Sequence, residues 1–307
     1  MINLFHINNH IINTSDYSNL LHDNIVQVFE ETIANYVGAK YAVSFNSATS
    51  AIFLALLDKN ITVNVPTMIP PVVLNAIITS GNKYNFTDNI DWVGDSYLLH
   101  DFGDYKIIDS AQKLEKDQFK KECNPNDLMV FSFYPTKPVG SCDGGMIVSN
   151  DLEKITRLKE MALNGMSYAH NNWERKIKFA GYKMYMNSIQ CDIALKNFNL
   201  YEDKLARLSE IRNIYNEAFG LNNTSNHLYR ISVDSREKFI IKLKEHGVST
   251  GIHYDAAHLN PVYKLDNTIY PLSEIAAKDT VSIPFHENLT FHEINLILRL
   301  ILDKYDN

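Results

Sequence analysis

Cysteine is scarce in this chain: Cys123, Cys142 and Cys191 are three among 307 residues, and none stands in a CxxC pair. Such spacing supplies neither a disulfide framework nor a zinc knuckle, and it fits a reducing, cytoplasmic setting. Tryptophan is limited to Trp92 and Trp173, which read as packing residues rather than ligands. Lysine and arginine form no basic block and the net charge is −7, so a nucleic-acid surface is not expected. No apolar run reaches the length of a membrane span. The opening stretch MINLFHINNHIINTSDYS has no basic segment followed by a long apolar one, so no signal peptide is expected. The Asn-x-Ser/Thr triplets, at Asn60 and Asn288 for example, are then incidental. Repeats and low-complexity tracts are absent as well.

What is present is an apolar share of 45% and a charged share of 21%, ordinary for a soluble globular enzyme. The length suits two domains, or one large α/β domain with an appendage. After a polar, irregular arm over residues 1–20, Ile25, Phe29, Ile33 and Val37 recur at helical spacing up to Gly38. Apolar runs at 40–45, 61–65, 84–86, 97–100, 106–108, 128–133 and 146–149 read as strands. Helices are expected over 50–57, from Pro70-Pro71 to Thr79, and from Asp151 to Leu163. Strands alternating with helices at this spacing predict an α/β fold with a mainly parallel sheet, whose ligands gather at the strands' carboxyl ends. Residues 167–178 read as a loop and 188–219 as a long helical stretch. Beyond it come a strand at 228–233, a helix at 235–246, a strand at 248–254 and a loop at 255–263. A last helix opens at the capping box Thr290–Glu293. This predicts a large domain over residues 1–190 and a small α+β domain over 191–307.

Two strand ends carry complementary groups. Leu128–Phe133 is broken by Tyr134-Pro135-Thr136, which presents Lys137 just past the strand, and Pro138 blocks an immediate helix. A lysine on a rigid turn among small residues suits an amine that forms a Schiff base with an aldehyde cofactor. A solvated surface lysine is the competing reading. The strand at 106–108 runs into Asp109-Ser110-Ala111-Gln112, where Asp109 is either a helix cap or a partner for that cofactor. At Asn46–Thr49 a strand turns into a helix, offering free N–H groups and a dipole's positive end to an anion, or a plain helix cap.

Five motifs in order, YAVSFNSATSAIFLAL (41–56), IIDSAQ (107–112), FSFYPTKPVGSCDGGMIV (131–148), GYKMYMNSIQCDIAL (181–195) and GIHYDAAHLNPVY (251–263), resemble the DegT-type sugar-nucleotide aminotransferases. These are pyridoxal 5'-phosphate enzymes of fold type I, and the resemblance runs from about Phe29 to the last helix. It implies that Lys137 carries the cofactor and then acts as the proton-moving base, and that Asp109 pairs with the pyridinium nitrogen. It further implies that Gln112 lies near the ring oxygen, and that Ala48, Thr49 and Ser132 hold the phosphate. Lys183 would reach the partner subunit's cofactor in a homodimer with shared sites. The substrates implied are a keto sugar nucleotide and an amino-acid donor, glutamate above all, with product feeding polysaccharide synthesis. His253, Tyr254 and His258 are candidates to touch the sugar nucleotide, or else buried, hydrogen-bonded side chains.

This chain departs from that pattern in four places. Thr67–Val73 lacks the ring-stacking aromatic, so Met68 or Pro70-Pro71 must pack there or leave the ring loosely held. Lys183 and Tyr185 stand where the family has asparagine and arginine, Ala48 replaces a common glycine, and the span between Phe86 and Ile107 is short by a helix or strand connection. A sugar-nucleotide dehydratase is disfavoured because such relatives replace the Schiff-base lysine with histidine. A trimmed, non-catalytic paralogue that binds cofactor or sugar nucleotide has no need of Lys137 or Asp109.

Overall fold

The computed structural model describes residues 1–168 and 175–302. Helix α1 (Asn24–Val37) is capped by the Asp23 side chain and stopped by Gly38 in the left-handed conformation. It leads into β1 (Tyr41–Phe45), α2 (Ala48–Leu56), β2 (Thr62–Pro66), α3 (Pro71–Thr79) and β3 (Lys83–Thr87). There follow β4 (Tyr97–Asp101), β5 (Lys106–Asp109), the short α4 (Gln118–Glu122), β6 (Leu128–Ser132), β7 (Gly145–Ser149) and α5 (Leu152–Ala162). Strands β8 (Met166–Tyr168) and β9 (Arg175–Ile177) then precede α6 (Ser188–Phe198) and α7 (Tyr201–Phe219). The last elements are β10 (Tyr229–Ser232), α8 (Arg236–Glu245), α9 (Pro271–Asp279), β11 (Thr280–Ile283) and α10 (Phe291–Leu302).

The α/β class is as expected. The central sheet has the order β1-β7-β6-β5-β4, and β2 pairs with β3 in parallel beside it. Strands β1, β5 and β6 point the same way, while β7 and β4 run against them. The reversal of β4 follows from chain length. Only residues 102–105 separate β4 from β5, and a parallel connection needs a dozen or more residues. The chain turns back instead through Gly103, at φ 89°, with Asp101 accepting the Gly103 N–H at 2.8 Å. The segment that the sequence reading found short thus holds a hairpin between β4 and β5.

Both faces of the sheet are covered. On one, Val43, Phe45, Val130 and Ile147 pack with α2, α3 and α5; on the other, Met129, Phe131 and Met146 pack with α1 and α6. A third apolar cluster joins Leu208, Ile211 and Tyr215 of α7 to β10, β11 and α10. The N-terminal arm is less irregular than expected. Ile2 bridges Val248, its N–H meeting the Gly247 carbonyl at 2.7 Å, and its side chain enters that third cluster.

Some expectations fail. Part of the predicted loop at 167–178 is the two-stranded ribbon β8–β9, in register from Met166↔Ile177 to Tyr168↔Arg175. Trp173 lies outside the described residues. The predicted strand at 248–254 is reduced to single bridges, at Val248 to Ile2 and at Gly251 to Ser282. Helix α9 was not expected at all: its exposed Leu272 and Ile275 spoil the apolar stripe on which a sequence reading relies.

Candidate active site

Because β1, β5 and β6 are co-directional, their carboxyl ends meet at one edge of the sheet. Register fixes the levels: Asp109 lies beside Val130, and Ser132, two residues on, lies beside Gly145, which in turn faces Phe45. The residues leaving these three strands are the Asn46–Thr49 turn, Asp109–Gln112 and the Tyr134–Lys137 turn. The edge therefore brings together most of the predicted site.

Lys137 is held by its own turn, its N–H donating to the Tyr134 carbonyl at 2.9 Å. Burial pulls its amine down to about 8, and the Asp109 charge opposes that fall. Asp109 is 3% exposed, and one carboxylate oxygen accepts the Ala111 N–H at 2.9 Å while the other accepts the Tyr97 hydroxyl at 2.9 Å. Burial raises its pKa, and the Ala111 N–H, the Tyr97 hydroxyl and Lys137 all counter the rise. Two groups that each lose hydration here thus hold one another toward the charged form.

Helix α2 starts at Ala48 and Thr49. The Ser47 hydroxyl caps it by accepting the Ser50 N–H at 3.1 Å, which leaves the first N–H groups of the helix to an anion. Strand β7 approaches this turn closely. A Cβ on Gly145 would stand 2.4 Å from the Ala48 nitrogen, so the glycine sets how near the turn lies to the strand. Ser132 ends β6 beside that same glycine.

Gln112 is buried, and both ends of its amide have protein partners. Its Oε1 accepts the Gly94 N–H at 2.7 Å and its Nε2 donates to the Tyr254 hydroxyl at 2.9 Å, which leaves one amide hydrogen uncommitted. Tyr254 therefore reaches the edge from the C-terminal segment. Burial, with the Asp109 charge, pushes its phenol well above the ordinary range. His253 bonds Ser282 Oγ through Nδ1 at 2.8 Å, and burial, with the Lys137 and Arg230 charges, lowers it to about 4. His258 is placed elsewhere: it bonds Glu274 at 3.2 Å and packs on Phe86 and Tyr270. Lys183 is exposed, on a segment whose next residue, Met184, accepts the Asn46 N–H at 2.8 Å.

The structure adds residues that no motif singled out. His227 is buried, stacks on Phe5, and is driven well below its ordinary value by burial and then by Lys137. Tyr97 meets Asp109, and Trp92 packs on both Tyr97 and Tyr254, with ring centroids 4.6 and 6.1 Å away. Arg230 donates to the carbonyls of His253 and Ile90, tying the C-terminal segment to the loop before β4. Met68, in place of the missing aromatic, is fully buried.

Pyridoxal phosphate can be tested against these residues. Among the described residues, Asn46 Oδ1, Thr67 Oγ1 and Trp92 Nε1 are buried without a hydrogen-bond partner, and they lie just beyond β1, just beyond β2 and in the loop before β4. Unpaired buried polar atoms are costly, so Asn46 Oδ1 at the end of β1 and Trp92 Nε1 beside Tyr97 and Tyr254 fit a polar group seated at this edge. A buried amine, a buried carboxylate and a free helix N-terminus complete a donor set that suits the cofactor's aldehyde, ring nitrogen and phosphate. A cavity of about 260 Å³ adjoins Lys137, lined also by His6, Asn8, Lys204, Arg207 and Glu287. A larger groove, about 1090 Å³, lies instead between α1, β1 and α5 and contains none of the predicted site residues.

The fold and this edge define a fold type I α/β aminotransferase. The model of the DegT/DnrJ/EryC1/StrS aminotransferase family matches residues 6–92 and 105–301, and the chain belongs to that family of pyridoxal-phosphate-dependent transaminases. The chain is 27% identical over 345 residues to the spore coat polysaccharide biosynthesis protein SpsC of Bacillus subtilis, covering 91% of this chain and 89% of that one. It is 24% identical over 329 residues to the UDP-4-amino-4,6-dideoxy-N-acetyl-beta-L-altrosamine transaminase of Campylobacter jejuni, covering 89% and 87%. Among solved structures, the aminotransferase TlmJ from Streptoalloteichus hindustanus superposes with a TM-score of 0.82 at 20% identity, over 98% of each chain. Helicobacter pylori PseC, an aminotransferase of pseudoaminic acid biosynthesis, gives 0.77 at 20% identity, over 97% of this chain and 98% of that one.

Proposed function

We propose that the chain moves an amino group from an amino-acid donor, glutamate in the first instance, to the keto group of a sugar nucleotide, using pyridoxal 5'-phosphate. The observation that carries this reading is the desolvated Lys137 amine and the buried Asp109 carboxylate at the tips of two adjacent strands. A binding module has no need of an amine whose proton affinity is lowered toward neutrality. The nucleotide-sugar substrate rests on relatives whose names state one, such as the C. jejuni transaminase and the UDP-2-acetamido-2-deoxy-3-oxo-D-glucuronate aminotransferase of Pseudomonas aeruginosa.

Bound pyridoxal phosphate supplies an aldehyde and an electron-withdrawing ring, which let an amino group pass from one substrate to the next. The chain's own residues do the rest. With its value lowered to about 8, Lys137 keeps more of its amine neutral at pH 7 than an ordinary lysine does. It can thus act as nucleophile and afterwards as the base that takes and returns a proton. Asp109 holds negative charge for the ring nitrogen. The Ala48 and Thr49 N–H groups, with the Ser132 hydroxyl, hold the phosphate. Tyr254 and His253 close the site from the C-terminal segment and exclude water. We place the domain division in the 188–219 helical stretch, and we infer a homodimer in which Lys183 meets the partner's cofactor phosphate; its exposure in the single chain supports that role.

Incubation with glutamate and a panel of keto sugar nucleotides should release 2-oxoglutarate with one of them. Borohydride should join the cofactor to the peptide that holds Lys137. Protein that stays colourless with added pyridoxal phosphate would overturn the reading.

A further inference from the structure

The family match stops at residue 92 and resumes at 105, so β4 lies in the part of the chain that the family model does not describe. The reversed direction of β4 there has a chemical consequence. Strand β4 runs backward, so its first residue, not its last, lies at the carboxyl end of β5, and Tyr97 pairs with Asp109 across the ladder. A bulge between Leu98 and His100 leaves that pairing in place. The tyrosine hydroxyl then stands 2.9 Å from Asp109 Oδ2. Trp92 packs against the Tyr97 ring at 4.6 Å, and the side chain is 8% exposed.

We propose that Tyr97 is a positioning residue for Asp109, its hydroxyl fixing one carboxylate oxygen and keeping the group ionised for the ring nitrogen it would meet. The proposal rests on the pyridoxal-phosphate reading of this edge. Its chemistry is that of a donor with no alternative role. Burial, with Asp109 beside it, lifts the Tyr97 phenol far above its ordinary value, so it stays protonated and donates at every working pH. Asp109 needs such donors because burial favours its neutral form, and a neutral acid offers no charge to a pyridinium. The titratable groups facing Asp109 are Tyr97 from β4, Lys137 from the turn after β6, and Tyr254 from the C-terminal segment, with Arg230 near Tyr254. Of these, Lys137 changes its covalent state during turnover, whereas the Tyr97 hydroxyl does not.

The test is the titration of Asp109 in cofactor-free protein carrying ¹³C-carboxyl aspartate, with the resonance identified by Asp109→Asn. Tyr97→Phe removes one oxygen and should raise the Asp109 midpoint by about one pH unit. Incorporating 3-fluorotyrosine at position 97 keeps the ring and makes the hydroxyl a stronger donor, and it should lower the midpoint. Trp92→Phe alters the packing of Tyr97 while keeping its hydroxyl, and it should shift the midpoint by less than Tyr97→Phe does. An unchanged midpoint in Tyr97→Phe, a fluorotyrosine shift upward, or an equal shift in Trp92→Phe overturns the proposal. In protein loaded with ¹⁵N-labelled pyridoxal phosphate, Tyr97→Phe should also move the ring-nitrogen resonance toward the neutral pyridine. Wild-type protein that takes up no cofactor defeats the functional reading, yet the Asp109 titration still decides the role of Tyr97.

Discussion

Asp109 and Lys137 oppose the same penalty from two sides. Loss of hydration pushes each toward its neutral form, and the attraction between them restores part of what that loss takes. The sign of the coupling gives a prediction. In Asp109→Asn the attraction vanishes while burial remains, so the Lys137 amine should titrate below its value of about 8. The pH dependence of Lys137 acylation in cofactor-free protein measures this, and a midpoint that stays or rises contradicts the coupling. The variant should nevertheless transaminate far more slowly, because its freer amine no longer faces a charged partner for the ring. Lys137→Ala should abolish turnover and borohydride labelling together. Lys137 and Asp109 were legible in the sequence because each follows an apolar strand and interrupts it with a polar group. Tyr97 was not, since its partner depends on which way β4 runs, and a five-residue strand reads the same in either direction. His227 was equally hidden: its environment is made by Phe5, 222 positions away by residue number.

At the scale of elements, the edge works because a helix N-terminus, two strand tips and a turn arrive at matched levels. Gly145 sets one of those levels. Its neighbours within reach of a Cβ are the backbone atoms of Ser47 and Ala48, which cannot rotate aside as a side chain would. Gly145→Ala should therefore displace the first turn of α2. We expect a loss of about 1–3 kcal/mol in stability, read by denaturant unfolding, together with weaker retention of pyridoxal phosphate. Stability lost with cofactor affinity intact would remove α2 from the phosphate site. The strands and helices on either side of this edge were readable because their apolar periods are strong and Gly or Pro marks most of their ends. The weakly patterned parts were not. Strands β8 and β9 are three residues each, the 248–254 segment pairs only through single bridges, and α9 turns apolar residues outward. The short span between Phe86 and Ile107 lay between these cases: its brevity was visible, but that β4 would reverse required counting residues 102–105 against the reach of a parallel connection.

For the whole molecule the open question of assembly turns on Lys183. In a single chain the segment 182–186 runs beside the β1–α2 turn, with Tyr185 bridging Phe45 and the Met184 carbonyl holding the Asn46 N–H, while Lys183 faces outward. Side chains alternate along an extended segment, so a lysine on the outward phase is available to another chain's phosphate, as the proposed dimer requires. Two inactive or weakened variants can distinguish these geometries. Mixed dimers of Lys137→Ala and Lys183→Ala have one site lacking both lysines and one site with both, provided that each site takes Lys137 from one chain and Lys183 from the other. Random pairing at equal amounts makes half of the dimers mixed, so about a quarter of the sites should be intact, and activity should exceed the mean of the two variants measured alone. If both lysines come from one chain, every site in every dimer lacks one of them, and mixing adds nothing. Gel filtration of the mixture, with one variant carrying a removable tag, counts the mixed species directly. Recovery that scales with that count places Lys183 across the interface, and activity that stays at the mean of the two parents returns it to its own chain.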